Sequence, residues 1–348
     1  MLKKIVFLHL PGFLNYGGAE RVLAQVANNL IYKNYDVSII SYTIESNSIY
    51  KLDNKIKRLE LGYTPKSNLL YKIKYFIINV YRIRKILKTN NFQYLISLGS
   101  NATIISIFSS LYIDIKVINW IHYSYYADKT VKNIFLRNFF KNFCYKFLVL
   151  NKTDYKLYQN IYNNKVFYLP NPIPFKSENR SNLDNKKIIS VGRITKVKGF
   201  NLLLEIVNLI VNKYNIKNYT FEIYGSSDFD NEVSILNNII NKYKLNSYVY
   251  IKEPTPNIKE IYLNSDIYLM TSFHECLPLV LLEAQECGLP IISFDINSGP
   301  KDIIIHNQNG FLIEPFNIEE YAKMLKVLIE DKSLRIKFGS NAIKTVQR

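Results

Sequence analysis

The stretch from residue 267 to residue 294, IYLMTSFHECLPLVLLEAQECGLPIISF, contains one complete strand–helix–strand unit. Its two ends, Ile267–Met270 and Ile291–Phe294, are short apolar runs typical of buried strands. The middle part, 278–287, has the length and periodicity of a helix. Pro278 stands at its start and Gly288 just after its end, and these are the positions that Pro and Gly favour. The stretch therefore predicts a parallel βαβ unit.

The same alternation of strands and helices continues in both directions along the chain. Further strands are predicted at 5–10, 37–42, 94–98, 116–120, 147–150, 188–191, 220–224 and 249–251. Further helices are predicted at 19–33, 71–88, 131–141, 201–212, 233–243 and 318–330. This pattern predicts α/β architecture with two doubly wound parallel sheets, and the 348 residues are enough for about two domains.

A proline-rich connector at 170–174 marks the expected domain boundary. We expect an N-terminal domain at 1–172 and a C-terminal domain at 173–330. Residues 331–348 are expected to form a helix that returns towards the N-terminal domain. The chain ends inside this predicted helix, which is an indication of C-terminal truncation.

Charge and cysteine content exclude several classes of protein. The net charge is +17, and residues 1–175 carry 24 basic and 8 acidic residues against 21 and 20 in the remainder. Three widely spaced cysteines without a CxxC pair argue against a disulfide framework or a zinc site and for a reducing compartment. The N-terminal apolar run is six residues long, so a first strand is favoured over a signal peptide. No run of about 18 apolar residues indicates a spanning helix, so we expect a cytoplasmic protein.

Two carboxylates, Glu275 and Glu283, flank the start of the predicted helix at 278–287. The beginning of a helix offers backbone N–H groups that bind anions. Glu283 lies roughly 7.5 Å along the helix axis, among Leu and Ala residues, so its carboxylate requires a partner. An anion at the helix start would have a carboxylate on each side for neighbouring hydroxyl groups. The alternative is that both carboxylates are exposed on the surface.

A short loop after the predicted strand 188–191 carries two cations, Arg193 and Lys198. Both can reach one anion from the same side, which suits a diphosphate. A charged loop by itself is more often only solvated. The neighbouring pair of carboxylates favours the binding role.

Glycines and a histidine follow predicted strands in the first half of the chain. Gly17 and Gly18 either allow a ligand to approach the backbone or make a tight turn. The segment is neither a dinucleotide fingerprint nor a P-loop. His122 follows the strand 116–120, so we expect it at the carboxyl edge of the sheet, facing a cleft between the domains. A structural role for this histidine is the alternative.

The pair Asp228 and Asp230 matches the DxD metal motif of many sugar-nucleotide enzymes. It lies in a polar loop before the predicted helix at 233–243, where acidic side chains serve as caps and interact with the helix dipole. No acidic or histidine cluster nearby in the sequence completes an octahedral site. We therefore expect no metal site and no cofactor.

In this order, these motifs resemble glycosyltransferase family 4, the group 1 retaining glycosyltransferases, over nearly the whole chain. The segments that carry the resemblance are Gly17-Gly-Ala-Glu-Arg21, His122, Gly192-Arg193, Lys198-Gly199, the pair Glu275 and Glu283, 284–290, and Gly299-Pro-Lys-Asp-Ile-Ile304. The resemblance implies the GT-B fold, in which two Rossmann-like domains face an interdomain cleft. It also implies a hexosyltransferase that retains the anomeric configuration and uses no divalent metal.

The resemblance implies roles for individual residues. Arg193 and Lys198 would neutralise the departing diphosphate of a nucleotide sugar, and Glu275 would bind the transferred sugar. The expected catalytic residues are His122, Arg193, Lys198 and Glu275. The expected donor-binding residues are Gly17, Gly18, Arg193, Lys198, Glu275, Leu279, Val280 and Glu283, the last of which would hold the ribose. Departures from the family pattern at Cys276, Asp302 and Gly225-Ser-Ser leave the donor sugar open.

The excess of positive charge predicts a partner for the first domain. The predicted helix at 71–88 has an apolar stripe, expected to pack on the core, made of Ile73, Phe76, Ile77, Val80, Ile83 and Leu87. Its cations are Lys72, Lys74, Arg82, Arg84, Lys85 and Lys88. Each cation near an anionic leaflet contributes on the order of 1 kcal/mol. We therefore expect peripheral association with the inner face of the cytoplasmic membrane.

The family resemblance favours a UDP-linked hexose or N-acetylhexosamine as donor. The expected acceptor is a lipid-linked, lipopolysaccharide or capsule saccharide of a bacterium. Two alternatives stay open on the sequence alone. One is a basic nucleic-acid-binding protein, and the other is a non-catalytic protein that binds sugar or lipid on the same fold.

Overall fold

The computed structural model describes residues 2–10, 17–42, 50–62, 69–127, 131–227 and 230–346. The chain divides into two compact units, Met1–Pro172 and Ile173–Arg348. Each unit is one parallel sheet with its own apolar core. The predicted α/β class with two parallel sheets is confirmed.

The first unit contains a seven-stranded sheet in the order β3-β2-β1-β4-β5-β6-β7. All its neighbouring strands are parallel. Its elements are β1 Lys4–Leu8, α1 Gly18–Tyr32, β2 Asp36–Ser41, β3 Lys57–Glu60, α2 Leu69–Asn90, β4 Tyr94–Leu98, α3 Ser100–Ser110, β5 Lys116–Ile121, α4 Val131–Phe143, β6 Lys146–Val149, α5 Lys152–Tyr162 and β7 Val166–Tyr168.

Alternation along β1 separates the two faces of the first sheet. Val6 and Leu8 belong to the core cluster that includes Ile83 of α2 and Ile105 of α3. Phe7 lies on the opposite face, with its ring 6.3 Å from that of Trp120 on β5. Residues that follow β1 and β5 on this second face therefore lie near one another at the carboxyl edge.

The second unit contains a six-stranded sheet in the order β10-β9-β8-β11-β12-β13, again with parallel neighbours. Its elements are β8 Lys187–Val191, α6 Phe200–Asn208, β9 Thr220–Tyr224, α7 Asp230–Lys242, β10 Val249–Lys252, α8 Ile258–Leu263, β11 Ile267–Met270, α9 Leu279–Glu286, β12 Ile291–Phe294, α10 Pro300–Ile303, β13 Gly310–Ile313, α11 Ile318–Glu330 and α12 Lys332–Val346. A π-helical turn, Leu209–Lys213, continues α6.

The last helix, α12, packs within the second unit. A Cβ atom on Gly339 would collide with the carbonyl oxygen of Gly288, which follows α9, so the two backbones are in close contact. Buried Arg335 donates hydrogen bonds to the carbonyl oxygens of Leu183, Leu328 and Ile329. These contacts attach α12 to the segment that leads into β8.

Within the described part of the chain, Cys144, Cys276 and Cys287 are buried and form no disulfide. Burial raises the pKa of Cys144 and of Cys287 to about 12. Among the described helices, none is both long and apolar enough to cross a membrane.

Candidate active site

The site in the second unit is built from loops that follow adjacent strands, β8, β11 and β12. The β8 loop is docked on the β11 loop by two hydrogen bonds. Phe273 N donates to Val197 O over 2.8 Å, and Thr271 Oγ1 donates to Lys198 O over 3.2 Å. These bonds fix the backbone of the β8 loop at Lys198.

Gly199 is required by the same docking. Its φ of +64° lies in the left-handed region that favours glycine. A Cβ atom at this position would also collide with the carbonyl oxygen of Thr271. A side chain at Gly199 would push the two loops apart and would displace Lys198, which precedes it.

The docked loops bring Lys198 and Glu275 together. Lys198 Nζ lies 2.6 Å from Glu275 Oε1, and Ser272 Oγ donates to the same oxygen over 2.8 Å. Ser298, from the β12 loop, donates its hydroxyl to the backbone oxygen of Glu275. Two residues separated by 77 positions in sequence therefore meet as an ion pair at the carboxyl edge of the sheet.

Arg193 lies in the β8 loop and is exposed. The backbone of this loop is bonded to the β9 loop, because Ile194 N donates to Ser226 O over 2.8 Å. A Cβ atom on Gly225 would collide with Gly192 O, so only glycine permits this approach. The structure thus places Arg193 and Lys198 in one constrained loop, as the sequence predicted.

The helix α9 begins one residue later than predicted. Pro278 is the N-cap and Leu279 is the first helical residue. Leu279 is buried, and Val280 lines a cavity of about 10 Å³ together with Lys198 and Glu275. The cavity has room for about one water molecule.

Glu283 is buried, with 3% of its surface exposed. Its Oε2 accepts a hydrogen bond of 2.7 Å from the hydroxyl of Tyr262 on α8. Burial first, and then the charge of Glu283, raise the pKa of Tyr262 well above its ordinary value. The sequence analysis predicted that this carboxylate needs a partner, and Tyr262 is one. That tyrosine was not identified from the sequence.

At the carboxyl edge of the first sheet, Gly17 is the N-cap of α1 and Gly18 begins the helix. The φ of Gly17 is −141°, a value open to any residue. A Cβ atom there would meet the carboxylate of Glu20 instead. Glu20 Oε1 also lies 3.3 Å from Nε2 of buried His9.

His122 directly follows β5 on the same face of the sheet as His9. Burial lowers its pKa to about 3; the charge of His9 acts in the same direction, and that of Glu20 opposes it. Its ring lies 4.6 Å from that of Trp120, and its Nε2 is buried without a hydrogen bond from the described residues. His122 is therefore a neutral imidazole near neutral pH.

The sequence analysis did not select His9. It falls inside the predicted strand 5–10, and in the structure it is the residue that follows β1. The signal that could have identified it is its position relative to the strand, which matches that of His122 relative to β5.

The proposed membrane-binding cations of α2 fall into two groups. Lys72, Lys74, Lys85 and Lys88 are exposed. Arg82 Nη1 donates to the carbonyl oxygen of Leu61, and Arg84 Nη1 donates to that of Ser109 at the end of α3. The two arginines therefore also hold neighbouring segments in place.

The apolar stripe predicted to pack on the core is divided. Ile83 and Leu87 are buried, but Ile73 and Ile77 are 56% and 62% exposed, as is Tyr81 at 70%. The expectation for Ile73 and Ile77 was wrong because the N-terminal half of this long helix turns part of its apolar surface to solvent.

The DxD-like pair falls partly outside the description, since Asp228 and Phe229 are not among the described residues. Over the ranges that are described, no three His, Cys, Asp or Glu side chains are grouped so that they could hold a metal ion.

Comparison with solved structures defines the fold. TarM of Staphylococcus aureus, in a complex that contains UDP, aligns with a TM-score of 0.83 at 16% identity, over 99% of this chain and 96% of that one. Sucrose-phosphate synthase of Thermosynechococcus elongatus aligns with a TM-score of 0.84 at 14% identity, over 99% and 94%. The two parallel-sheet units are thus those of the GT-B fold.

Sequence comparison gives the family. The profile of "Glycosyl transferases group 1" matches residues 174–345. A glycosyltransferase of Haemophilus influenzae, described as uncharacterized, is 31% identical over 345 residues, covering 98% of this chain and 94% of that one. The chain belongs to the group 1 glycosyltransferases.

A second relative has a described reaction. The α-1,4-N-acetyl-D-galactosaminyltransferase of Campylobacter jejuni is named for an undecaprenol-diphosphate-linked saccharide substrate. It is 29% identical over 332 residues, which cover 94% of this chain and 90% of that one.

Proposed function

We propose that the protein is a retaining, metal-independent glycosyltransferase of family 4 that uses a UDP-linked hexose or N-acetylhexosamine. The observation that carries the proposal is the contact of Lys198 with Glu275 at the carboxyl edge of the second sheet. A cation and a carboxylate side by side suit a ligand that presents a phosphate next to sugar hydroxyls.

Catalysis follows from where charge develops. Breaking the bond between the anomeric carbon and the diphosphate builds negative charge on the leaving phosphate oxygens. Lys198 and Arg193, held in one constrained loop, stabilise that charge more in the transition state than in the ground state. Two fixed cations supply the neutralisation that a divalent metal gives in other enzymes.

The other candidate residues bind and orient the donor. Glu275 accepts hydrogen bonds from hydroxyls of the transferred sugar, and Glu283, in the middle of α9, binds the ribose. His122 is neutral, so it acts through hydrogen bonds to the sugar and not as a cation. Gly17 and Gly18 bring the first backbone N–H groups of α1 close to the diphosphate or the acceptor.

We propose an acceptor that is a lipid-linked saccharide at the inner face of the cytoplasmic membrane. The named substrate of the Campylobacter relative supports this proposal. The exposed lysines and apolar side chains of α2 support it independently, because they combine charge for anionic headgroups with surface for the acyl boundary.

The decisive experiment is a mass-spectrometric screen of the purified protein against nucleotide sugars, with and without lipid-linked saccharide acceptors. We expect turnover of a UDP-sugar that persists in EDTA, and NMR of the product should show the anomeric configuration of the donor. Loss of activity in EDTA would contradict metal independence, and an inverted product would contradict retention. Failure of every UDP-sugar would contradict the donor class.

A further inference from the structure

The Lys198–Glu275 contact is tight and partly shielded from solvent. The two side chains are 24% and 12% exposed, and the donor–acceptor distance is 2.6 Å. A charge-assisted hydrogen bond in such surroundings is stronger than an exposed ion pair. Separating the two groups therefore has a substantial cost unless both find new partners.

A ligand cannot reach Lys198 from the side of Glu275 without separating the pair. The cavity lined by Lys198, Glu275, Ser272 and Val280 measures about 10 Å³, which is the size of one water molecule. A phosphate group does not fit in that volume. A phosphate that binds Lys198 from this side therefore competes with Glu275 for the same ammonium group.

We propose that the Lys198–Glu275 ion pair makes the enzyme select the complete nucleotide sugar over the free nucleoside diphosphate. The proposal rests on the proposed function, in which Lys198 binds the diphosphate and Glu275 the sugar. A complete donor replaces both halves of the pair, with a phosphate on Lys198 and sugar hydroxyls on Glu275.

The free diphosphate replaces only one half of the pair. It takes Lys198 and leaves the Glu275 carboxylate, 12% exposed, without its cation. Ser272 Oγ is then the donor that remains among the side chains bonded to this carboxylate. An uncompensated, largely buried charge is costly, so the diphosphate product binds more weakly than its contacts with Lys198 alone would allow. Product release is favoured for the same reason.

The test is isothermal titration calorimetry. UDP, GDP and ADP are first titrated into the wild type, and the nucleotide that binds most tightly is then titrated into each variant. Glu275→Gln keeps the shape of the side chain and removes the charge that competes for Lys198. We expect this variant to bind the nucleoside diphosphate about tenfold more tightly than the wild type, although its turnover of the complete donor falls. Ser272→Ala leaves Glu275 more dependent on Lys198, so we expect the opposite sign, a weaker binding of the diphosphate.

Two further variants distinguish failure of the selection proposal from failure of the proposed function. Glu319→Gln is the matched control, since it also removes a carboxylate paired with a lysine, Lys213 at 2.7 Å, on the exposed surface of the same unit. Its diphosphate affinity should equal that of the wild type. If Lys198→Ala weakens diphosphate binding but Glu275→Gln does not strengthen it, the selection proposal is wrong and the proposed role of Lys198 stands. If Lys198→Ala binds as tightly as the wild type, the proposed function of this site fails as well.

Discussion

The two sheets share one topological feature, but different side chains lie beside it. The strand order reverses beside the first strand of each sheet, between β1 and β4 and between β8 and β11. Ligands of such folds bind at the carboxyl edge next to that point. At that point the second sheet carries a lysine and a glutamate in direct contact. The first sheet carries the buried imidazole of His9 and the partly buried imidazole of His122 close to the carboxylate of Glu20.

The carboxyl edges of the two sheets hold their polar side chains in different ways. In the second unit, hydrogen bonds between two loops hold Lys198 and Glu275 in direct contact. In the first unit, burial keeps His122 uncharged. One edge is suited to a charged ligand such as a diphosphate, and the other to uncharged hydroxyl groups. Part of the surplus positive charge of the first unit lies on α2, where Lys72, Lys74, Lys85 and Lys88 are exposed.

Replacing Lys198 should have the largest effect. Lys198→Ala removes the cation that we propose stabilises the leaving group, and we expect kcat to fall by about 10²–10³-fold. Lys196→Ala is the matched control, because Lys196 is an exposed lysine of the same turn. Steady-state turnover of the donor identified in the screen measures both. Equal losses in the two variants would show that the turn, and not the contact with Glu275, matters.

The neutral state of His122 predicts a pH dependence of stability. The pKa of this histidine is about 3 in the folded chain, against about 6.5 when unfolded. Between these values the unfolded state binds the extra proton, so the free energy of unfolding falls as the pH decreases from about 6.5 towards 3. Each pKa unit corresponds to about 1.4 kcal/mol, which gives a few kcal/mol in total.

Urea unfolding of the wild type and of His122→Gln across this pH range measures how much His122 contributes to the pH dependence of the free energy of unfolding. The variant should lose less stability on acidification than the wild type. His274→Gln, which removes an exposed histidine of the second unit, should follow the wild type. Parallel curves for the wild type and His122→Gln would contradict a neutral His122 imidazole in the folded protein.

The buried bond between Tyr262 and Glu283 predicts a smaller effect in the second unit. Tyr262→Phe removes the hydroxyl that donates to the carboxylate, which remains buried, and we expect a loss of about 1–3 kcal/mol. Chemical denaturation followed by circular dichroism measures it. Tyr250→Phe is the control, since the Tyr250 side chain is more exposed and its hydroxyl bonds only Ser247 O among the described contacts. Similar losses of unfolding free energy for both variants would show that the bond from Tyr262 to Glu283 contributes no more than an exposed hydrogen bond.

The smallest effect is expected for membrane binding. Replacing Lys72 and Lys74 by Gln should weaken binding to vesicles with anionic lipid by about 1 kcal/mol for each lysine at low salt. The same replacement at Lys217 and Lys244, exposed lysines of the second unit, should leave binding unchanged. Co-sedimentation at low and high salt measures both double variants. Equal binding by the two would show that the charge difference between the units does not direct the protein to a membrane.

Local patterns sufficed for the architecture but not for several of its elements. The α3 helix was not predicted, because its sequence is rich in Ser and Ile, which have modest helix propensity, and it forms by burying residues such as Ala102, Ile105 and Ser106. The β3, β7 and β13 strands were also missed. They are three or four residues long and lie at the sheet edges, and a run this short shows no clear strand periodicity in the sequence.

The candidate site was predictable as a set of residues and not as a set of contacts. Motif spacing placed Lys198 and Glu275 after strands of the same sheet. It gave no indication that their side chains touch, because that depends on Gly199 and Thr271 bringing two loops together. Tyr262 and His9 escaped for a related reason, since each acquires its role from a partner distant in sequence.

The attachment of α12 has a consequence for engineering. Arg335 binds the carbonyl oxygen of Leu183 at the start of α12. Near its end, Ile343 packs on Gly288 beside Arg180: a Cβ atom on Gly288 would lie 3.2 Å from Cδ1 of Ile343 and 3.7 Å from Cβ of Arg180. The entry and exit segments of the second unit are therefore adjacent. Chains whose two ends meet in this way tolerate circular permutation. A short peptide joining these ends, with new termini opened in an exposed loop, would deliver the second unit as a separate, rearranged polypeptide.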